Sequence, residues 1–283
     1  MNHHLRLLQQ LARYKYLSVW QWYMLWYAYS TKTLYKKLKL LEEKNLIGKK
    51  CYKYHPQRGR SENIYHLTTQ GAEYLIIHTK KPLQGMHITK HPKLLSNDYD
   101  HRKKTITAHI LMDLACDNLS LSRYRYYHYF QKRKKQQGFP QTATKLKVWD
   151  DIIIPDSIAL LSPTQAKKQK SLLIIEIHKG QRVKKILEQL KPYAKIIASG
   201  VAWTEFGVAT NPYVLVLFEH ESTLLSTLEI MSQDSYYTNL KDHFLFITFE
   251  SLQKDCLSHR LNLRKEKVHL LSKKNSNNTQ TDK

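Results

Sequence analysis

The run Asp150–Leu161, DDIIIPDSIALL, and the run Ser171–Gly180, SLLIIEIHKG, decide how the second half of the chain is built. Each is a short apolar stretch of strand length, rich in Ile and Leu, and each carries polar groups where a buried strand should carry none. Pro155-Asp156 interrupts the first run, and Glu176 and His178 interrupt the second. Side chains two apart on a strand point the same way, so Glu176 and His178 share a face. A hairpin joining the two strands brings Asp156 beside them. A carboxylate buried among Ile and Leu without a partner is costly, so Glu176 requires a physical reason for its position. Two carboxylates that converge repel and desolvate each other unless a cation lies between them, and oxygen donors suit Mg²⁺ or Mn²⁺.

Outward from these runs, strands and helices alternate. Strands are expected at Ser157–Leu161, Ser171–Ile177, Val214–Phe218 and Phe244–Phe249, and helices at Gln181–Ile197 and Ser222–Met231, an α/β pattern. Upstream lie a helix over Arg102–Asn118 and strand-like runs at Tyr124–Phe130 and Leu146–Ile154. The basic stretch QKRKKQQGFPQTATK (131–145) separates those two strands. This domain is expected to span 102–262. Past Leu263 the composition becomes Lys, Ser, Asn and Thr, so 263–283 is expected to be a disordered basic tail. Turn residues and charge without a period mark 81–101 as a linker.

The amino-terminal part, 1–80, reads differently. Apolar residues at helical spacing run from Leu5 to Ala12, and a second helix follows Ser18. Ser30 caps a third, whose stripe is Leu34, Leu38 and Leu41. Lys49–Tyr54 and Asn63–Leu67 read as two strands of a hairpin, and Thr68 caps a closing helix. Cations cluster on the third helix (Lys32, Lys36, Lys39) and on the hairpin (Lys49, Lys50, Lys53, Arg58, Arg60).

Over 283 residues, 46 Lys and Arg stand against 23 Asp and Glu, a formal charge of +23, which calls for a polyanionic partner. No apolar run is long enough for a membrane span, and Met1-Asn-His-His does not open a secretory signal, so the expected location is cytoplasmic. Three dispersed cysteines suit neither a disulfide framework nor a thiolate zinc site, which leaves any metal to carboxylates.

The segments LYKKLKLLEEKNLIGKK and GRSENIYHLTTQGAEYL resemble the winged helix-turn-helix family over residues 5–78. That resemblance implies a third helix in the major groove of double-stranded DNA and a hairpin along its backbone, with the eight cations above touching phosphate. IIIPDSIALL followed by LLIIEIHKG is similar to the Pro-Asp, spacer, Glu-x-Lys motif of the PD-(D/E)XK nuclease superfamily. Gln189-Leu-Lys-Pro-Tyr193 has the Gln-x-x-x-Tyr spacing of one exonuclease branch. The implied fold is α+β, a winged helix followed by a restriction-endonuclease-like domain. The implied site is catalytic at Asp156, Glu176, His178, Gln189 and Tyr193. Its metal is held by Asp156 and Glu176, joined by Asp113 and His109 from the preceding helix. His178 stands where the superfamily has Lys, which alters the mechanism or marks a degraded site. The motif order over most of the chain also resembles the replication-relaxation family and the relaxases that mobilise plasmids. It implies nicking of one strand at an origin, alongside other mobilisation or replication proteins. The alternative is a non-catalytic DNA-binding regulator or initiator that retains the nuclease fold.

Overall fold

The chain folds as α+β, described here by a computed structural model over residues 3–25, 30–50, 54–55, 59–60, 62–80, 98–118, 124–133, 141–161, 171–208, 210–254 and 260–268. It divides into two units, Met1–Ile110 and Leu111–Lys283. Among the described residues, no helix is long and apolar enough to cross a membrane.

The first unit runs α1 (His3–Tyr14), β1 (Tyr16–Ser18), α2 (Val19–Leu25), α3 (Thr31–Glu43), β2 (Ile47–Lys50), β3 (Tyr54–His55), β4 (Gly59–Arg60), β5 (Ile64–Leu67) and α4 (Thr69–Thr79). β5 lies between β1 and β2 in an antiparallel sheet, and β3 pairs with β4 alone. Leu34, Leu38 and Leu41 bury one stripe of α3, as their spacing requires. The Ser30 hydroxyl accepts from Thr33 N at 3.2 Å and starts that helix. Thr68 starts α4 by accepting from Gly71 N at 2.9 Å. Its hydroxyl also reaches the carbonyls of Asn45 and Leu46, at 2.7 and 3.0 Å, tying the start of α4 to the end of α3. Gly71 is needed there because a Cβ would stand 1.9 Å from the Leu46 carbonyl oxygen.

Two local expectations change. The first hairpin strand begins at Ile47 rather than Lys49, because Ile47 is buried opposite Leu67. β1 was not expected from the pattern; its three side chains are all buried, so it shows no alternation.

α5 (Tyr99–Asn118) starts inside the segment expected as linker. The Tyr99 hydroxyl donates to the Glu62 carbonyl at 3.0 Å, Lys103 pairs with the Glu62 carboxylate, and Gln21 Nε2 donates to Lys103 O at 2.9 Å. These contacts draw the first turns of α5 into the first unit. The rest of that segment, 81–97, lies outside the described residues.

The second unit continues with β6 (Tyr124–His128), β7 (Lys132–Arg133), β8 (Gln141–Thr142), β9 (Leu146–Val148), β10 (Asp151–Ile153), β11 (Ser157–Leu161), β12 (Ser171–His178), α6 (Val183–Ser199), α7 (Val201–Phe206), β13 (Tyr213–Phe218), α8 (Glu221–Gln233), a 3-10 turn at Ser235–Leu240, β14 (Phe244–Thr248), α9 (Phe249–Lys254), β15 (Arg260–Leu261) and β16 (Lys267–Val268). Seven strands form one mixed sheet in the order β16-β15-β14-β13-β12-β11-β6. β12, β13 and β14 run parallel, joined by crossovers containing α6 and α8, and the remaining pairs are antiparallel. One face of the sheet, including Leu172, Ile174, Val214 and Val216, packs on Ile186, Leu190 and Ile197 of α6 and on Leu224 and Leu228 of α8.

The single strand expected over Leu146–Ile154 is a separate two-strand hairpin, β9–β10. Folding back lets Leu146, Val148 and Ile153 all enter the core. The β15–β16 pairing extends through Val268, past the Leu263 at which the composition turns polar. Residues 269–283 lie outside the described residues.

Candidate active site

β11 and β12 pair so that Ser157 faces Ile175; continuing that register by one residue sets Asp156 opposite Glu176. The hairpin therefore brings the two carboxylates together. Glu176 Oε1 accepts from Asp156 N at 3.2 Å, and Asp156 Oδ2 accepts from Ile177 N at 2.8 Å. The Glu176 side chain stands on the face covered by α6, where the Tyr193 hydroxyl donates to the same Oε1. Glu176 and Tyr193 are buried, with 8% and 3% of their surfaces exposed, and Asp156 is half-buried.

Burial, followed by the negative charge of Asp156, pushes the Glu176 carboxyl well above the usual carboxylate range. The hydroxyl of Tyr193 and the amide of Asp156 oppose that shift by bonding the charged form. Burial and the neighbouring Glu176 likewise push the Tyr193 phenol upward, so Tyr193 remains a donor. The pair sets two carboxylates side by side, with the raised Glu176 bonded to the Tyr193 hydroxyl. Mg²⁺ commonly binds proteins through one or two carboxylates while keeping several waters, so this pair fits such an ion, and Mn²⁺ accepts the same donors.

The remaining predicted residues are placed less centrally. His178 shares the Glu176 face one step along β12, and its ring lies against Phe218, 5.6 Å between centroids and tilted by 43°. Gln189 is exposed on α6, while Tyr193 of the same Gln-x-x-x-Tyr spacing is buried against Glu176. Asp113 is buried and accepts from the Tyr126 hydroxyl at 3.1 Å. Tyr126 aligns with Ala159 and Leu173, the face of the sheet opposite to Glu176, so Asp113 is engaged away from the pair. His109 is buried and belongs to the first unit. Among the described residues, no three or more His, Cys, Asp or Glu side chains converge as a metal shell. Of the four ligands expected from the motif, strand register brings Asp156 and Glu176 together.

In the first unit, Lys32, Lys36 and Lys39 lie exposed on α3, and Lys49 and Lys50 are exposed on β2. Lys39 has Glu43 at 3.9 Å and Lys49 has Glu42 at 3.1 Å. Lys53 and Arg58 lie outside the described residues, and Arg60 is placed on β4.

The direct Tyr193–Glu176 bond is a contact that the sequence signalled only through spacing. An ion pair between Lys195 and Asp151, anchoring the β9–β10 hairpin to α6, had no sequence signal. Comparison with protein-family models, with curated proteins and with solved structures gives no match to this chain.

Proposed function

We propose that this protein binds double-stranded DNA through a winged helix-turn-helix in its first unit. We further propose that it nicks one strand at Asp156 and Glu176 of a PD-(D/E)XK-like second unit, at an origin-like site of a plasmid or mobile element. The observation that carries the cleavage reading is the Asp156–Glu176 pair, two carboxylates assembled by strand register, with Glu176 buried and Asp156 half-buried beside it. Two such groups are stabilised together by a divalent cation. Bound Mg²⁺ or Mn²⁺ supplies Lewis acidity toward a phosphodiester and lowers the pKa of water. Asp156 and Glu176 would hold the ion, and the Tyr193 hydroxyl, bonded to Glu176, would fix that carboxylate's rotamer. His178, two residues along β12 on the Glu176 face, would accept the proton of water in place of the superfamily's Lys. Binding is supported by the formal charge of +23 and by the exposed lysines of α3 and β2.

A second reading is a DNA-binding regulator or initiator without cleavage. The His178 ring against Phe218 and the engagement of Asp113 with Tyr126 favour it. Supercoiled plasmid carrying the cognate origin separates the two. Mg²⁺- or Mn²⁺-dependent conversion to the open circle, lost in Asp156→Ala, supports nicking. Conversion that survives Asp156→Ala removes the carboxylate pair from the mechanism, and salt-sensitive binding without conversion favours the regulator.

A further inference from the structure

The β9–β10 hairpin carries a tryptophan that neither packing nor turn geometry accounts for. Val148 pairs with Asp151, so Trp149 and Asp150 form a two-residue turn. Trp149 has φ +52, a left-handed backbone that such turns usually assign to Gly, Asn or Asp. A bulky residue there is strained, and strain of this kind clusters at functional positions. Trp149 also leaves most of its surface, 65%, exposed. On the outer face of the same hairpin, Ile152 and Ile154 are 56% and 49% exposed, and Lys147, aligned with Ile152, is exposed beside them.

Two links join this patch to the carboxylate pair. Ile154 is followed by Pro155 and then Asp156, so the outer strand leads directly into the site. Lys195 of α6 holds Asp151 of the hairpin, while Tyr193, two residues earlier on α6, holds Glu176. One helix therefore fixes both the apolar hairpin and the acid.

We propose that the Trp149 hairpin is a stacking platform for unpaired bases of the DNA strand beside the scissile phosphate. The proposal rests on the reading of Asp156 and Glu176 as a DNA-cleaving pair. An exposed indole offers a flat apolar surface that any base can cover, Ile152 and Ile154 widen it, and Lys147 lies where the backbone of a stacked strand passes. The excess of positive charge over the chain favours a nucleic acid over a second, equally cationic copy of the protein. Asp151 is neutralised by Lys195, which leaves Asp150 as the acid at the turn that a bound strand must pass.

The test compares binding of the full chain, in EDTA, to a duplex and to the same duplex with a central unpaired bubble. Trp149→Ala is expected to weaken bubble binding about tenfold, the scale of one lost base–aromatic stack, and to leave duplex binding unchanged. Trp149→Phe should restore most of the affinity. Trp149→Gly should weaken bubble binding equally while raising the melting temperature through relief of the turn, so the loss cannot be assigned to misfolding. Equal effects on duplex and bubble, no effect on either, or conversion of a wild-type dimer to monomer by Trp149→Ala overturns the proposal. Because binding is read without metal, a bubble-specific loss in a protein that never nicks plasmid would refute the cleavage reading and retain base stacking on Trp149 without a scissile phosphate beside it.

Discussion

Replacing Glu176 by Gln should stabilise the protein at alkaline pH when divalent cations are absent. The amide keeps an oxygen to accept from Tyr193 and Asp156 and removes only the charge. Like charges on neighbouring side chains repel on the order of 4 kcal/mol at an effective dielectric near 20, and two hydrogen bonds to a charged acceptor return about 1.5 kcal/mol each. With the cost of burying the charge added, a net gain of about 1–3 kcal/mol is expected for the variant. In a unit of this size that is a rise in melting temperature of roughly 2–12 °C. The folded-state pKa of Glu176 lies above its unfolded value, so the native protein retains a proton that the unfolded chain releases. The stability this proton confers is fully present below the ordinary value of 4.5 and is lost as pH rises through the raised one. Thermal unfolding followed by circular dichroism in EDTA should therefore show wild type and variant together in acid and diverging upward in pH. Saturating Mg²⁺ should reverse their order, because only the wild type gains a ligand. A variant that melts below the wild type at alkaline pH, or by a pH-independent margin, refutes the reasoning.

Gly71→Ala should lower stability by about 1–3 kcal/mol, because its Cβ meets the Leu46 carbonyl at 1.9 Å rather than a yielding side chain; an unchanged denaturation midpoint of the first unit would contradict the tie between α3 and α4. Lys32→Ala with Lys36→Ala should weaken duplex binding and flatten the slope of log affinity against log salt by about 1.8, near 0.9 per lost phosphate contact. A slope identical to wild type would take α3 away from the DNA.

Much of the architecture was legible because it is written in local chemistry. Ser30 and Thr68 cap the helices their positions announced, and the crossover helix and parallel strands after Glu176 fall within two residues of their apolar runs. The Asp156–Glu176 encounter was legible because a hairpin between two apolar runs leaves few registers that bury both. The break at Trp149 was not, since Trp-Asp carries no turn signature and the strand preference on either side is strong. Nor was the direction of Asp113. Every position of α5 from Thr105 to Asp113 is buried, so the helix has no polar face from which to read a phase. The solvent-side position of Gln189 was readable in principle, since the buried stripe of α6, Ile186, Leu190, Tyr193 and Ile197, leaves it exposed.

The acid at position 176 also has a consequence for sequence drift. A buried acid whose charged form is disfavoured is one that random substitution tends to remove, since Gln, Met or Leu there carries no charge to bury. Descendants of this chain freed from any need for the carboxylate should lose it early, before Tyr193, whose ring is part of the core whatever its hydroxyl does. Retention of an acid at position 176 among descendants is therefore what the proposed cleavage reading predicts.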